Sequence, residues 1–129
     1  MNRINVFIVD DSAFMRKAIK NILESDPRIE VIGTARNGED ALEKLRELSP
    51  DVVTLDISMP HMDGLTALQH IMSNNPLPVV MLSSLTQEGA VETFEALELG
   101  AVDFIPKPSG TISLDIDKQR KEIITKVKA

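Results

Sequence analysis

Three carboxylates, a pair of hydroxyls and one amine stand at the ends of short apolar runs in this chain. Asp10-Asp11 follow Ile4–Val9, and Asp56 follows Val52–Leu55. Ser83-Ser84 follow Val79–Leu82, and Lys107-Pro108 come just after Ala101–Ile105. Two carboxylates about 4 Å apart repel by roughly 4 kcal/mol at an effective dielectric of 20. Three together raise at least one pKa unless a cation intervenes. An all-oxygen site with few carboxylates suits Mg2+ better than a soft metal, and Lys107 adds one positive charge. A carboxylate beside a metal ion and an ammonium can attack a phosphoryl group. The cations neutralise the transferring oxygens, and a hydroxyl such as that of Ser83 can donate to one of them. Taken singly, each residue has an ordinary use as a helix cap, a turn residue or a solvated lysine. Their shared position after apolar runs is what argues for a site.

Those runs alternate with amphipathic stretches along the whole chain. Ile4–Val9, Ile29–Thr34, Val52–Leu55, Val79–Leu82 and Ala101–Ile105 read as strands. Between them, Ala13–Glu24 carries Phe14, Ala18 and Ile22 beside Met15, Ile19 and Leu23 at helical spacing. Asn37 is placed to cap a helix running through Leu48. Met59-Pro60 and Asp63-Gly64 mark a loop before a helix reaching about Ser73. A further helix is expected from about Glu88 to Leu99, with Val91, Phe94 and Leu97 on one face and Gly100 closing it. Asp115–Lys128 completes the pattern as a final helix. Strict alternation with short connections predicts a single α/β domain over residues 1–129. Its parallel sheet carries helices on both faces, and the continuous apolar strands agree with a doubly covered sheet.

In such sheets ligands bind at the carboxyl ends of the strands, near the switch in strand order. For the order 2-1-3-4-5, Asp56 is central, with Asp10 and Asp11 on one side and Ser83 on the other. Lys107 is then two strands away, within reach of a lysine side chain. His61 and His70 read as surface residues, and Glu39, Glu43 and Glu47 as a solvated helix face.

Composition narrows the function classes. The chain has 129 residues, 14 basic against 20 acidic side chains, and a net charge of −6. That balance disfavours direct binding of nucleic acid, which needs clustered positive charge. With no cysteine there is no disulfide, thiolate zinc site or Cys nucleophile. No Trp or Tyr is present to stack on bases or flavins. No signal peptide is read, and the apolar runs are too short to span a bilayer, so a cytoplasmic location without membrane insertion is expected.

The set Asp10-Asp11, Asp56, Ser83 and Lys107-Pro108 resembles the receiver domain of two-component response regulators, over essentially the whole chain. That resemblance implies the flavodoxin-like receiver fold, a five-stranded parallel sheet of order 2-1-3-4-5. It implies Asp56 as phosphoacceptor and Asp10, Asp11, Asp56 and the Ser58 carbonyl as ligands of Mg2+. Ser83 then takes the switch-hydroxyl position, Lys107 the phosphate-binding position and Phe104 the switch-aromatic position, with a cis Lys107–Pro108 peptide. A finer set is similar to the receiver of the chemotaxis protein-glutamate methylesterases. It comprises Asp10-Asp11-Ser12-Ala13-Phe14-Met15-Arg16, Met81–Thr86, Gly89-Ala90, Ala96–Phe104 and Pro106–Gly110. That likeness implies a chemotaxis histidine kinase as phosphodonor, a C-terminal methylesterase/glutamine deamidase domain as regulated partner, and chemoreceptors as indirect partners. A stand-alone chemotaxis receiver acting on a separate partner is the alternative. Whether this chain is itself an enzyme is left open, since it carries no hydrolase triad.

Other functions fit less well. A serine hydrolase of the elbow type needs Gly-x-Ser-x-Gly, which is lacking. Phosphatases of the haloacid-dehalogenase type place a second aspartate two residues after the nucleophile, where this chain has Ser58. A nucleotide binder needs a Gly-rich phosphate loop. Only 19 residues follow Gly110 here, too few for a DNA-binding domain.

Overall fold

The computed structural model describes residues 3–57, 59, 62–74, 76–83, 95–106, 124–125 and 127–128. Its elements in chain order are β1 (Ile4–Val9), α1 (Ala13–Glu24), β2 (Ile29–Ala35), α2 (Gly38–Lys44), β3 (Val52–Asp56), α3 (Gly64–Asn74), β4 (Val79–Ser83) and β5 (Asp103–Pro106). All strand pairs are parallel, and the sheet order is β2-β1-β3-β4-β5. This is the flavodoxin-like order expected from the sequence.

The central strands β1, β3 and β4 bury residues on both faces, so the sheet feeds two separate cores. Phe7, Val9, Val53, Leu55, Val79 and Met81 face α2 and α3, where Ala41, Leu45, Ala67, Leu68 and Ile71 meet them. Val6, Ile8, Val52, Val80, Leu82 and Ile105 face the other way, onto Ile19, Ile22 and Leu23 of α1 and onto Val127. Helices therefore cover both faces. Residues 95–98 and 124–125 are helical, as expected of the last two helices. The remaining parts of those two helices, with Val91 and Phe94, lie outside the described residues.

Local signals account for the helix ends. Ser12 caps α1 by accepting from the Met15 amide at 3.2 Å, and Asn37 caps α2 by accepting from the Asp40 amide at 2.8 Å. Asp63 accepts from the Thr66 amide at 2.8 Å at the start of α3. Gly100 has φ +116°, which closes the turn after residues 95–98. At the far end of the chain Lys128 Nζ donates to Asp26 at 3.1 Å. The Arg28 amide and this ammonium together hold the Asp26 carboxyl below its ordinary pKa.

Three expectations are corrected. The second helix ends at Lys44 and not at Leu48; residues 45–47 continue as turns, and Leu45 is buried from that turn. Past Lys44 the amides of Arg46 and Glu47 bond three residues back, to the Glu43 and Lys44 carbonyls, so the helix tightens into turns. Phe14 belongs to the helical stripe but is 67% exposed. It sits in the first turn of α1, and only the later turns, through Ile19, Ile22 and Leu23, bury side chains. Leu97 is 38% exposed, and its neighbour Ala96 is the buried member of that turn.

Leu55→Ala should therefore lower unfolding stability by about 2–5 kcal/mol, the usual range for a filled core site. Phe14→Ala should stay within about 0.5 kcal/mol, as at other exposed positions. Urea melts of both variants check this, and a large loss in Phe14→Ala would show that the ring is buried in solution.

Candidate functional site

The pairing of β1 with β3 builds the acidic site. Val9 pairs with Leu55 as the last register pair of these strands. Asp10 and Asp56 are the next residues along, so both leave the sheet at its carboxyl edge side by side. Both are fully buried, whereas Asp11 is exposed. One carboxylate oxygen from each of Asp10, Asp11 and Asp56 lies within 4.8 Å of the others. At that separation each ionised pair repels by about 3 kcal/mol at an effective dielectric of 20.

Hydrogen bonds fix Asp10 from three directions. Its amide donates to the Ala35 carbonyl at 3.1 Å, its Oδ1 accepts from the Ser12 amide at 2.9 Å, and its carbonyl accepts from Arg16 Nη1 at 2.8 Å. Asp56 is held by its strand. It pairs with Leu82 on β4, and the following Ile57 amide donates to the Leu82 carbonyl at 3.1 Å.

Gly64 permits the close approach of α3 to this corner. Its amide donates to the Ile57 carbonyl at 2.7 Å. A Cβ at this position would overlap the Asp56 carbonyl oxygen and would come within 2.6 Å of the Ile57 Cα. These are backbone atoms, so relief requires α3 or the end of β3 to move.

The donor set fits a hard divalent cation. It consists of oxygens alone, the ligand type that Mg2+ takes, and three carboxylate oxygens already lie within 4.8 Å of one another.

The sequence-predicted residues fall into three groups. Asp10, Asp11 and Asp56 come together as expected. Ser83 ends β4 on the same edge, one residue past the partner of Asp56, and is paired with Pro106; its side chain lies outside the description. Phe104 lies on β5 opposite Met81 and is 38% exposed. Ser58, His61, Ser84, Lys107 and Pro108, with the expected cis peptide, lie outside the described residues. His70 and Glu39, Glu43 and Glu47 are exposed, as read. Two contributors were missed. Gly64 reads from sequence as a turn residue. Arg16 reads only as the first cation after the aspartate pair, although its position one turn into α1 was a usable signal.

An open parallel sheet with an acidic cluster at its carboxyl edge, beside the central strand, is the architecture of a receiver. A family model described as the response regulator receiver domain matches residues 6–116, and the chain belongs to that family. It is 63% identical over 129 residues to protein-glutamate methylesterase/protein-glutamine glutaminase 2 of Carboxydothermus hydrogenoformans, covering 100% of this chain and 36% of that protein. The chain thus spans about a third of the length of the curated relatives it matches. Among solved structures it is similar to the response regulator domain of CheB from Thermotoga maritima. The TM-score is 0.88 and the identity 50%, with 98% of this chain and 95% of that chain covered. A chain of the CheX–CheY–BeF3–Mg2+ complex from Borrelia burgdorferi matches with TM-score 0.80 and 37% identity, over 99% of this chain and 91% of that one. No helix among the described residues is long and apolar enough to cross a membrane.

Gly64→Ala should destabilise the domain by about 1–3 kcal/mol, the range for overpacking. It should also shift the amide resonances of Asp56 and Ile57. A thermal melt with a heteronuclear NMR spectrum checks this, and unchanged Asp56 and Ile57 signals would show that the helix start is not pressed on β3.

Proposed function

We propose that this chain is a phosphorylatable receiver that accepts a phosphoryl group on Asp56 from a chemotaxis histidine kinase and thereby regulates a protein-glutamate methylesterase/glutamine deamidase domain. The observation that carries the reading is the burial of Asp56 at the end of the central strand, within a cluster of three carboxylates. The relatives named as methylesterase/glutaminase support the choice of regulated partner. The relation to CheB favours it over a stand-alone chemotaxis receiver.

In this reading an Asp56 carboxylate oxygen attacks the phosphorus of the donor. The new O–P bond forms as the bond from phosphorus to the donor's imidazole nitrogen breaks, and that nitrogen leaves with its electron pair. Asp10, Asp11, Asp56 and the Ser58 carbonyl would hold Mg2+, which would offset negative charge on the transferring group. Lys107 places its ammonium against a phosphoryl oxygen, and the Ser83 hydroxyl donates to another. Burial of Asp56 limits the access of bulk water to the acyl phosphate.

The output follows from the same edge. Ser83 moving toward the phosphoryl group frees space for Phe104 to change rotamer, which is a population shift and requires the phosphoryl group to favour one state. Leu97, Val102 and Phe104 are exposed large apolar side chains on the segment leading through β5, with Val102 at 60%. They suit docking of an attached domain.

Asp56→Asn should abolish uptake of phosphoryl from acetyl phosphate in the presence of Mg2+, measured by intact-mass spectrometry. Full labelling of that variant would overturn the assignment. Joined to a methylesterase domain of this family, the wild-type chain should raise esterase activity on phosphorylation. Ser83→Ala should weaken that activation while uptake at Asp56 stays largely intact; equal activation in both would exclude the Ser83 route.

A further inference from the structure

Arg16 carries its charge where a helix does not favour one. Its amide is the donor to the Ser12 carbonyl at 2.9 Å, which places it one turn into α1. The amino end of a helix carries a partial positive charge, and the first turn of α1 has no acidic residue to offset a cation there. Side chains in a helix lean toward its amino end, so Arg16 folds back over the start of α1. Its Nη1 donates to the Asp10 carbonyl at 2.8 Å.

That carbonyl belongs to the peptide plane joining Asp10 to Asp11. A planar peptide rotates as one unit, so fixing its oxygen fixes the direction in which Asp11 leaves it. Asp10 is also held through its amide on Ala35 and its Oδ1 on the Ser12 amide, and the Arg16 bond acts on the carbonyl oxygen itself. Asp11 is the exposed member of the cluster and is not embedded in a strand. We propose that Arg16 is a positioning residue for the divalent-cation site: through the Asp10 carbonyl it orients the Asp10–Asp11 peptide and so holds the Asp11 carboxylate in register with Asp10 and Asp56.

The inference rests on the reading of these three aspartates as a Mg2+ site. It sets a sign that separates orientation from charge. If Arg16 acted only as a nearby positive charge, removing it would tighten the binding of any divalent cation. Loss of orientation has the opposite effect, and it falls hardest on Mg2+. That ion demands near-octahedral ligands at short distance, whereas Ca2+ accepts longer and more variable geometry.

The test is calorimetric titration of Mg2+ and Ca2+ into the wild-type chain, Arg16→Met, Arg16→Lys and Asp11→Ala, with melts in the absence of metal as a check on folding. Arg16→Met should weaken Mg2+ binding about ten- to a hundredfold, the usual effect of losing a group that orients a metal ligand. Ca2+ should weaken less, so the preference for Mg2+ falls, a change that general destabilisation does not produce. Arg16→Lys keeps a charge and a donor and should recover part of the loss. Mg2+ binding that is unchanged or tighter in Arg16→Met overturns the proposal. Should Arg16→Met not fold, Arg16→Lys and Arg16→Gln decide it, and Mg2+ affinity equal to wild type in both overturns it. A wild-type chain that binds no Mg2+, or an Asp11→Ala chain that binds it normally, overturns instead the underlying reading of the site.

Discussion

Mutual repulsion of three carboxylates is the constraint around which this domain is arranged. Like charges separate when the chain is free to let them; here two of the groups are fully buried and all three lie within 4.8 Å. The strand order puts β1 beside β3, so the terminal residues of two adjacent central strands have nowhere else to go. Cores on both faces of the sheet supply the stability that holds them there. The result is an oxygen-lined corner whose backbone the sheet fixes in place.

Rigidity at this corner comes from the backbone more than from side-chain packing. Gly64 lets α3 begin against the last peptide of β3, and the Ile57 carbonyl accepts from the Gly64 amide. The Ile57 amide in turn is bonded to β4. Asp56 is thus followed at once by a residue tied on both sides. The proposed phosphoacceptor role would draw on this restraint, which keeps an attacking oxygen aligned.

Much of this was legible in the residues. The strands read clearly because a doubly covered sheet needs unbroken apolar runs, and Asp10 and Asp56 stood out as charges that end such runs. The acidic triad needed only the strand order to become a cluster. Other features depended on facts that a linear pattern does not hold. Helical spacing assigns Phe14 to a face but does not say that in the first turn of α1 Met15 packs against the core while Phe14 is exposed. Leu45 is buried just past the last helical residue, so an apolar side chain at that position did not mark the early end of α2. Gly64 and Arg16 owe their importance to atoms of Asp56, Ile57 and Asp10, and those approaches exist only once the chain is folded.

The bond between Lys128 and Asp26 has a consequence for how force and information travel. Asp26 lies just before β2 in a parallel sheet, so it marks the amino edge, opposite the edge where the aspartates gather. Any polypeptide continuing beyond residue 128 sets out from that far edge. The five residues of β3, at about 3.3 Å each, put roughly 16 Å of strand between the two edges. A domain tethered there would start at one pole of the sheet and would have to fold back along its flank to reach the other. On the proposed reading, the tether would set where such a domain starts and the chemistry at the opposite pole whether it stays.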